Sequence, residues 1–204
     1  MPLPAHKNSP SPHKEATYAD IEALPEHVVG EIIDGELVVS PRPRLRHAHA
    51  SSALGVELGG AFSRKPNGPD RPGGWWILNE PELHFAKQVL VPDLAGWRHE
   101  RLPEIPDLAY ATLAPDWVCE VISPTSGRRD RIQKARIYAQ NAVQWLWLVD
   151  PLQQTVEVLR NGGEHWTLMG TWGGDDDTAR PLPFDAIALE LSRWWLPLPK
   201  EPEL

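Results

Sequence analysis

The stretch WVCEVISPTSGRRDRIQKARIYA, Trp117 to Ala139, decides how this chain is read. It opens with Trp117, Val118, Cys119, Val121 and Ile122, an apolar run of strand length, yet Glu120 sits in its middle. Strand alternation puts Val118, Glu120 and Ile122 on one face and Trp117, Cys119 and Val121 on the other. Both faces are mostly apolar, so the strand is expected at the centre of a sheet, buried on both sides. A lone carboxylate there is costly unless it is paired or holds a cation. A Ser-Pro turn follows, and then a segment carrying four Arg and one Lys, for which a helix over about 128–141 is expected.

Upstream, residues 1–15 are polar and Pro-rich and are expected to form a disordered tail. A short helix is expected at TYADIEALPE, capped by Thr17 with Asp20 three residues on. In EIIDGELVVSP two apolar runs flank Asp34-Gly35, the dipeptide of a tight two-residue hairpin. The segment RLRHAHASSALGVELGGAFSRK has helical spacing at Leu45, Ala48, Ser52, Val56, Leu58 and Phe62, weakened near its end by Gly59-Gly60. WWILNEPELHFAKQVLVPDLAGW is expected to give two or three strands, followed by a Pro-rich loop. Downstream of the opening stretch, WLWLVDP is expected as a short buried strand and TVEVLRNGGEHWTLMG as a hairpin turning at Asn161-Gly162-Gly163. The predicted architecture is mixed α/β (α+β), a central mixed β-sheet flanked by helices, in a single domain over 16–198 with a short tail at 199–204.

Composition narrows the function. A formal net charge of −8 excludes a simple polyanion-coating protein, since non-specific nucleic-acid binders are usually basic. Contacts with phosphates would have to be local or assisted by a metal. The 10 Trp are expected in packing rather than as a platform for stacked bases. Cys119 is the only cysteine, so no internal disulfide forms, and its place in an apolar strand favours a buried, inert thiol. No apolar run approaches a membrane span, and the first residues lack the apolar core of a signal peptide, so a cytoplasmic protein with no membrane partner is expected.

Glu120 needs company, and two further acids could supply it. Asp93 lies in VLVPDLAGW, again among apolar residues, with Pro92 marking an edge or bulge where a side chain can be re-aimed. Glu31 opens the first hairpin. Carboxylates on sheet strands, without a cysteine set or metal-spaced His pair, favour a hard cation such as Mg²⁺ or Mn²⁺. Lys134 offers two readings: a surface i,i+4 pair with Asp130, or a catalytic ammonium beside the acids. Arg128, Arg129, Arg131 and Arg136 offer either a solvated face or a hold on a phosphate backbone, and Arg42 to His49 forms a second basic patch.

In order and spacing, EIIDGELVVSPRPRLRH, VPDLAGW, WVCEVISPTSGRRDRIQKARIYA and VQWLWLVDP resemble the Uma-type restriction-endonuclease-like proteins of the PD-(D/E)XK nuclease superfamily. The resemblance spans about residues 17–196 and implies a restriction-endonuclease-like fold. It implies Asp93 as the Asp of the PD motif, Glu120 as the second acid, Glu31 as the hairpin Glu and His47 as the family's His after the second strand. Where the superfamily motif has Lys, two residues after Glu120, this chain has Ile122, and the resemblance moves the lysine to Lys134 on the helix.

The expectation is thus a metal-dependent endonuclease hydrolysing DNA phosphodiester bonds. Asp93 and Glu120 would hold Mg²⁺ (or Mn²⁺), Glu31 and Lys134 would complete the catalytic set, and His47, Arg128, Arg129 and Arg131 would contact the nucleic acid. The rival expectation is a non-catalytic nucleic-acid- or protein-binding module on the same fold. A two-carboxylate glycosidase is a third possibility, but it gives the basic helix and Lys134 no role. A homodimer is expected for a duplex substrate.

Overall fold

The computed structural model describes residues 14–198 except 64, 125, 174, 175 and 177. Of the expected tails at 1–15 and 199–204, residues 1–13 and 199–204 lie outside the described residues, while Glu15 is described and pairs with Lys87 at 2.7 Å. Helix α1 (Tyr18–Glu22) is capped as anticipated: the Asp20 carboxylate accepts from the Thr17 N–H at 2.7 Å and from its hydroxyl at 2.8 Å. Strands β1 (Val29–Ile33) and β2 (Glu36–Ser40) form the hairpin, turning at Asp34 (φ 54°) and Gly35 (φ 82°). Two successive left-handed residues are what a type I′ turn requires.

Helix α2 (Leu45–Phe62) follows, but it buries a different face from the one expected. Ala50, Leu54, Leu58, Ala61 and Phe62 face the core, while Leu45 and Val56 are 84% and 77% exposed. The expected set mixes two faces. Val56 and Leu58 lie two residues, roughly 200°, apart around a helix, so one stripe cannot hold both.

Four strands, rather than two or three, occupy the next stretch: β3 (Trp75–Asn79), β4 (Glu82–Phe85), β5 (Gln88–Leu90) and β6 (Leu94–Arg98). The Pro-rich loop contains a two-residue strand, β7 (Tyr110–Ala111). The opening stretch provides β8 (Trp117–Val121), then a helical segment in three parts: α3 (Gly127–Arg129), a π-helical turn (Asp130–Lys134) and α4 (Ala135–Gln140). Strands β9 (Trp145–Asp150), β10 (Thr155–Asn161) and β11 (Trp166–Gly173) come next. Two short strands, β12 (Thr178–Ala179) and β13 (Leu189–Glu190), and a 3₁₀ turn (Leu191–Trp194) close the chain.

The strands form two principal sheets instead of one. The larger is mixed, in the order β11-β10-β9-β8-β6-β3, with β8 antiparallel to β6 and parallel to β9. The smaller has the order β2-β1-β5-β4-β7. A parallel pair needs a long crossover, and the basic helix is that crossover, carrying the chain from β8 to β9.

The alternation read in β8 holds. Trp117, Cys119 and Val121 pack with α2, Trp147, Phe184 and Trp194 on one face of the large sheet. Val118 and Ile122 join Tyr138, Leu146 and residues of the small sheet on the other. Trp97, Trp117, Trp147 and Trp194 are fully buried, the packing role expected for tryptophan. Truncating a side chain such as Leu54, wholly enclosed by this core, should cost about 2–5 kcal/mol.

Candidate active site

Glu120 is 3% exposed, and its Oε1 accepts two bonds, from the Lys134 ammonium at 2.7 Å and the Tyr138 hydroxyl at 2.6 Å. The helix therefore returns across the strand it follows. Lys134, itself 3% exposed, reaches Glu31 Oε1 at 3.0 Å and the Val91 carbonyl at 3.2 Å as well. Its ammonium thus has three oxygens within 3.2 Å. The surface-pair reading of Lys134 is thus excluded by its burial. Glu31 Oε1 also accepts the Val91 N–H at 2.9 Å, which ties β1 to the segment leading into Asp93.

Asp93 lies just before β6 rather than within a strand. Its Oδ2 accepts the Val121 N–H at 2.7 Å, bringing it to the end of β8 beside Glu120. Its Oδ1 is 3.1 Å from His47 Nε2, which the first turn of α2 supplies. His47 Nδ1 is buried and has no hydrogen-bond partner among the described residues. Glu31, His47, Asp93, Glu120 and Lys134 share one cleft of about 680 Å³, also lined by Arg42, Arg44, Arg129 and Asp130.

The expected nucleic-acid contacts divide. His47 and Arg129 line the cleft. Arg128 is exposed and is not among the residues that line it. Arg131 pairs with Glu157 of β10 at 2.7 Å, and Arg136 grips the Asp34 carboxylate with two contacts at 2.7 Å.

Two residues of this neighbourhood have no part in the sequence reading of the site, Tyr138 and the buried Asp130. A signal for both is present. Asp130, Lys134 and Tyr138 recur every four residues, which makes a polar stripe on one face of a helix following a strand with a buried acid.

The electrostatics follow from four carboxylates, Glu31, Asp93, Glu120 and Asp130, facing a single lysine in a buried place. Burial pushes the Glu120 carboxyl well above its usual range; Lys134 opposes this, and the charges of Asp130, Asp93 and Glu31 add to it. Asp130 is raised for the same reasons, chiefly burial. Burial works against the charged form of Lys134, but Glu120, Glu31 and Asp130 together raise its pKa and keep it an ammonium. His47 is raised too: burial pulls it down, and the bond to Asp93 and that carboxylate's charge outweigh the burial.

An excess of buried negative charge with an all-oxygen donor set suits a hard divalent cation. Among the described residues no three His, Cys, Asp or Glu side chains close into a ready-made metal cage. Mg²⁺ does not need one, because it is commonly held by one or two carboxylates and keeps several waters. Asp93 and Glu120 would be those ligands. No helix among the described residues is long and apolar enough to cross a membrane.

The mixed six-stranded sheet, with its parallel pair β8 and β9 joined by the crossover helix, is a restriction-endonuclease-like fold. Over residues 16–192 the chain matches Uma2, a family described as "putative restriction endonuclease", and it belongs to that family. A crystal structure of a "putative nuclease belonging to DUF820", from Anabaena variabilis, shares the fold with a TM-score of 0.67. It is 24% identical, and the match covers 88% of this chain and 97% of that one. No curated protein matches the chain.

Proposed function

We propose that this protein is a metal-dependent endonuclease that hydrolyses phosphodiester bonds in DNA. The observation that carries the reading is the place of Lys134: a helix delivers it to Glu120 and Glu31 in the cleft that Asp93 lines. Asp93 and Glu120 are the residues to hold Mg²⁺ or Mn²⁺, with Glu31 assisting. The bound cation would supply neutralisation of the phosphate and a lowered pKa for a water nucleophile. Lys134 would orient that water or meet charge developing on the phosphate. Arg42, Arg44 and Arg129 at the cleft wall suit the sugar-phosphate backbone, which explains how a chain of net charge −8 could approach DNA through a local patch.

The test is nicking of supercoiled plasmid with Mg²⁺ or Mn²⁺, against chelator and Asp93→Asn controls. Metal-dependent nicking that Asp93→Asn abolishes is the expected result. Absence of nicking by the wild type, with duplex binding intact, would leave the binding-module reading.

One observation favours that second reading. Lys134 already lies against Glu31, Glu120 and the Val91 carbonyl, deep enough that acting on a substrate means giving up one of these contacts.

A homodimer on duplex DNA belongs to the same proposal. The hairpin from Val156 to Trp166 and the many tryptophans would be its candidate surfaces, but Val156, Val158, Trp97, Trp117, Trp147 and Trp194 are buried, which leaves the exposed Leu168 and Met169 of β11 as the apolar surface nearest that hairpin. Light scattering at micromolar concentration tests it, and a monomer mass would count against it.

A further inference from the structure

We infer that Tyr138 is a positioning residue which, together with Lys134, holds Glu120 by Oε1 and so reserves Oε2 for a divalent cation. The inference rests on the reading of Glu120 as a metal ligand and adds to it the residue that orients that ligand.

Tyr138 has no exposed surface and packs among Ile137, Val143 and Leu146. A phenylalanine would fill that space equally well. What the hydroxyl adds is a single bond of 2.6 Å to Glu120 Oε1, in keeping with the rule that a buried Tyr O–H finds a partner. The same oxygen takes the Lys134 ammonium at 2.7 Å. A carboxylate turns readily about its last side-chain torsion. Two donors converging on one oxygen fix that torsion and decide which oxygen stays available.

The donors themselves are fixed. Lys134 and Tyr138 stand one turn apart, and the helix bearing them is pinned at Ala135, whose carbonyl accepts from the Trp166 indole at 2.9 Å, and at Ala139, whose carbonyl accepts from Asn161 at 3.1 Å. Partners of this kind behind a metal ligand typically change metal affinity about 10- to 100-fold when removed.

The experiment compares the full-length chain with Tyr138→Phe, titrating each with Mn²⁺ by calorimetry and melting each without metal. The expected result is Mn²⁺ affinity weakened at least about tenfold in Tyr138→Phe. A purely structural hydroxyl would instead lower the melting temperature and leave Mn²⁺ affinity unchanged, which would overturn the inference while the metal-site reading stands. Wild type that binds no Mn²⁺ would overturn both. A Mn²⁺-soaked crystal of the wild type is a second test, and it needs no variant to fold. Ligation through Oε2, with Oε1 still on Tyr138 and Lys134, is expected; ligation through Oε1 would refute the assignment.

Discussion

Lys134 and Glu120 meet at 2.7 Å with side chains only 3% and 4% exposed, which makes their contact an interior ion pair and not a decoration of the helix surface. An exposed pair would be worth well under about 1 kcal/mol. An interior one behaves differently when one partner is removed, because the other is left as an uncompensated buried charge.

Lys134→Met should therefore destabilise the metal-free protein by about 3–5 kcal/mol, as judged by urea unfolding. Glu31, Glu120 and Asp130 lose their shared counter-charge in this variant. If the protein cleaves DNA, the rate should also fall by roughly a hundredfold or more. A stability loss under about 1 kcal/mol would show that water screens the pair.

Three groups of the cleft make the metal-free protein less stable as pH rises. Glu120 and Asp130 are raised from ordinary values of 4.5 and 3.8, and His47 from 6.5. The native state thus binds more protons than the unfolded chain across the window between each ordinary value and its raised one, so stability falls through that window. Thermal melts without metal should show a melting temperature that declines from about pH 5 towards pH 8. The decline should be shallower in Glu120→Gln. A wild-type melting temperature that rises over that range would contradict the charge assignment.

Arg129 and Arg131 offer a comparison within one helix. Arg129 lines the cleft, whereas Arg131 is engaged by Glu157. On a labelled duplex followed by anisotropy, Arg129→Ala should weaken binding and reduce the salt slope by about 1. Arg131→Ala should do neither. Equal effects would place the DNA outside the cleft.

The Cys119 thiol, buried within β8, is raised by burial and by the nearby carboxylates of Asp93 and Glu120. A thiol reagent at about pH 8 should leave the native protein unlabelled and react once urea opens the sheet. Rapid native labelling would mean that β8 opens locally.

The acid cluster and the nearby lysine are legible in residue pattern, because the physics that marks them is local, while the part given to His47 comes from the family resemblance. An acid inside an apolar strand announces itself, and the Asp34-Gly35 turn names its own geometry. The extra strands give no such notice, since they turn at Glu80 (φ 47°) and Ala86 (φ 54°), left-handed positions held by residues that carry no turn signal. The buried face of α2 is hidden because large apolar residues lie on both sides of the helix, Leu54, Leu58 and Phe62 inside and Leu45 and Val56 outside. The inward course of Lys134 passes through a π-helical turn, for which residue preferences offer no warning. A surface pairing of Lys134 with Asp130 also masks the burial of both, and with it the four-residue repeat that continues to Tyr138.

The two acids of the sheet and the lysine reach the cleft on separate elements, and this sets an order of assembly. As the chain is made, β6 and β8 come first, and Lys134 arrives only when the crossover helix docks. That docking is secured by Trp166 and Asn161, from a hairpin made later still. The centre is thereby a junction: its parts meet only where the sheet strands, the crossover helix and the later hairpin are all in place.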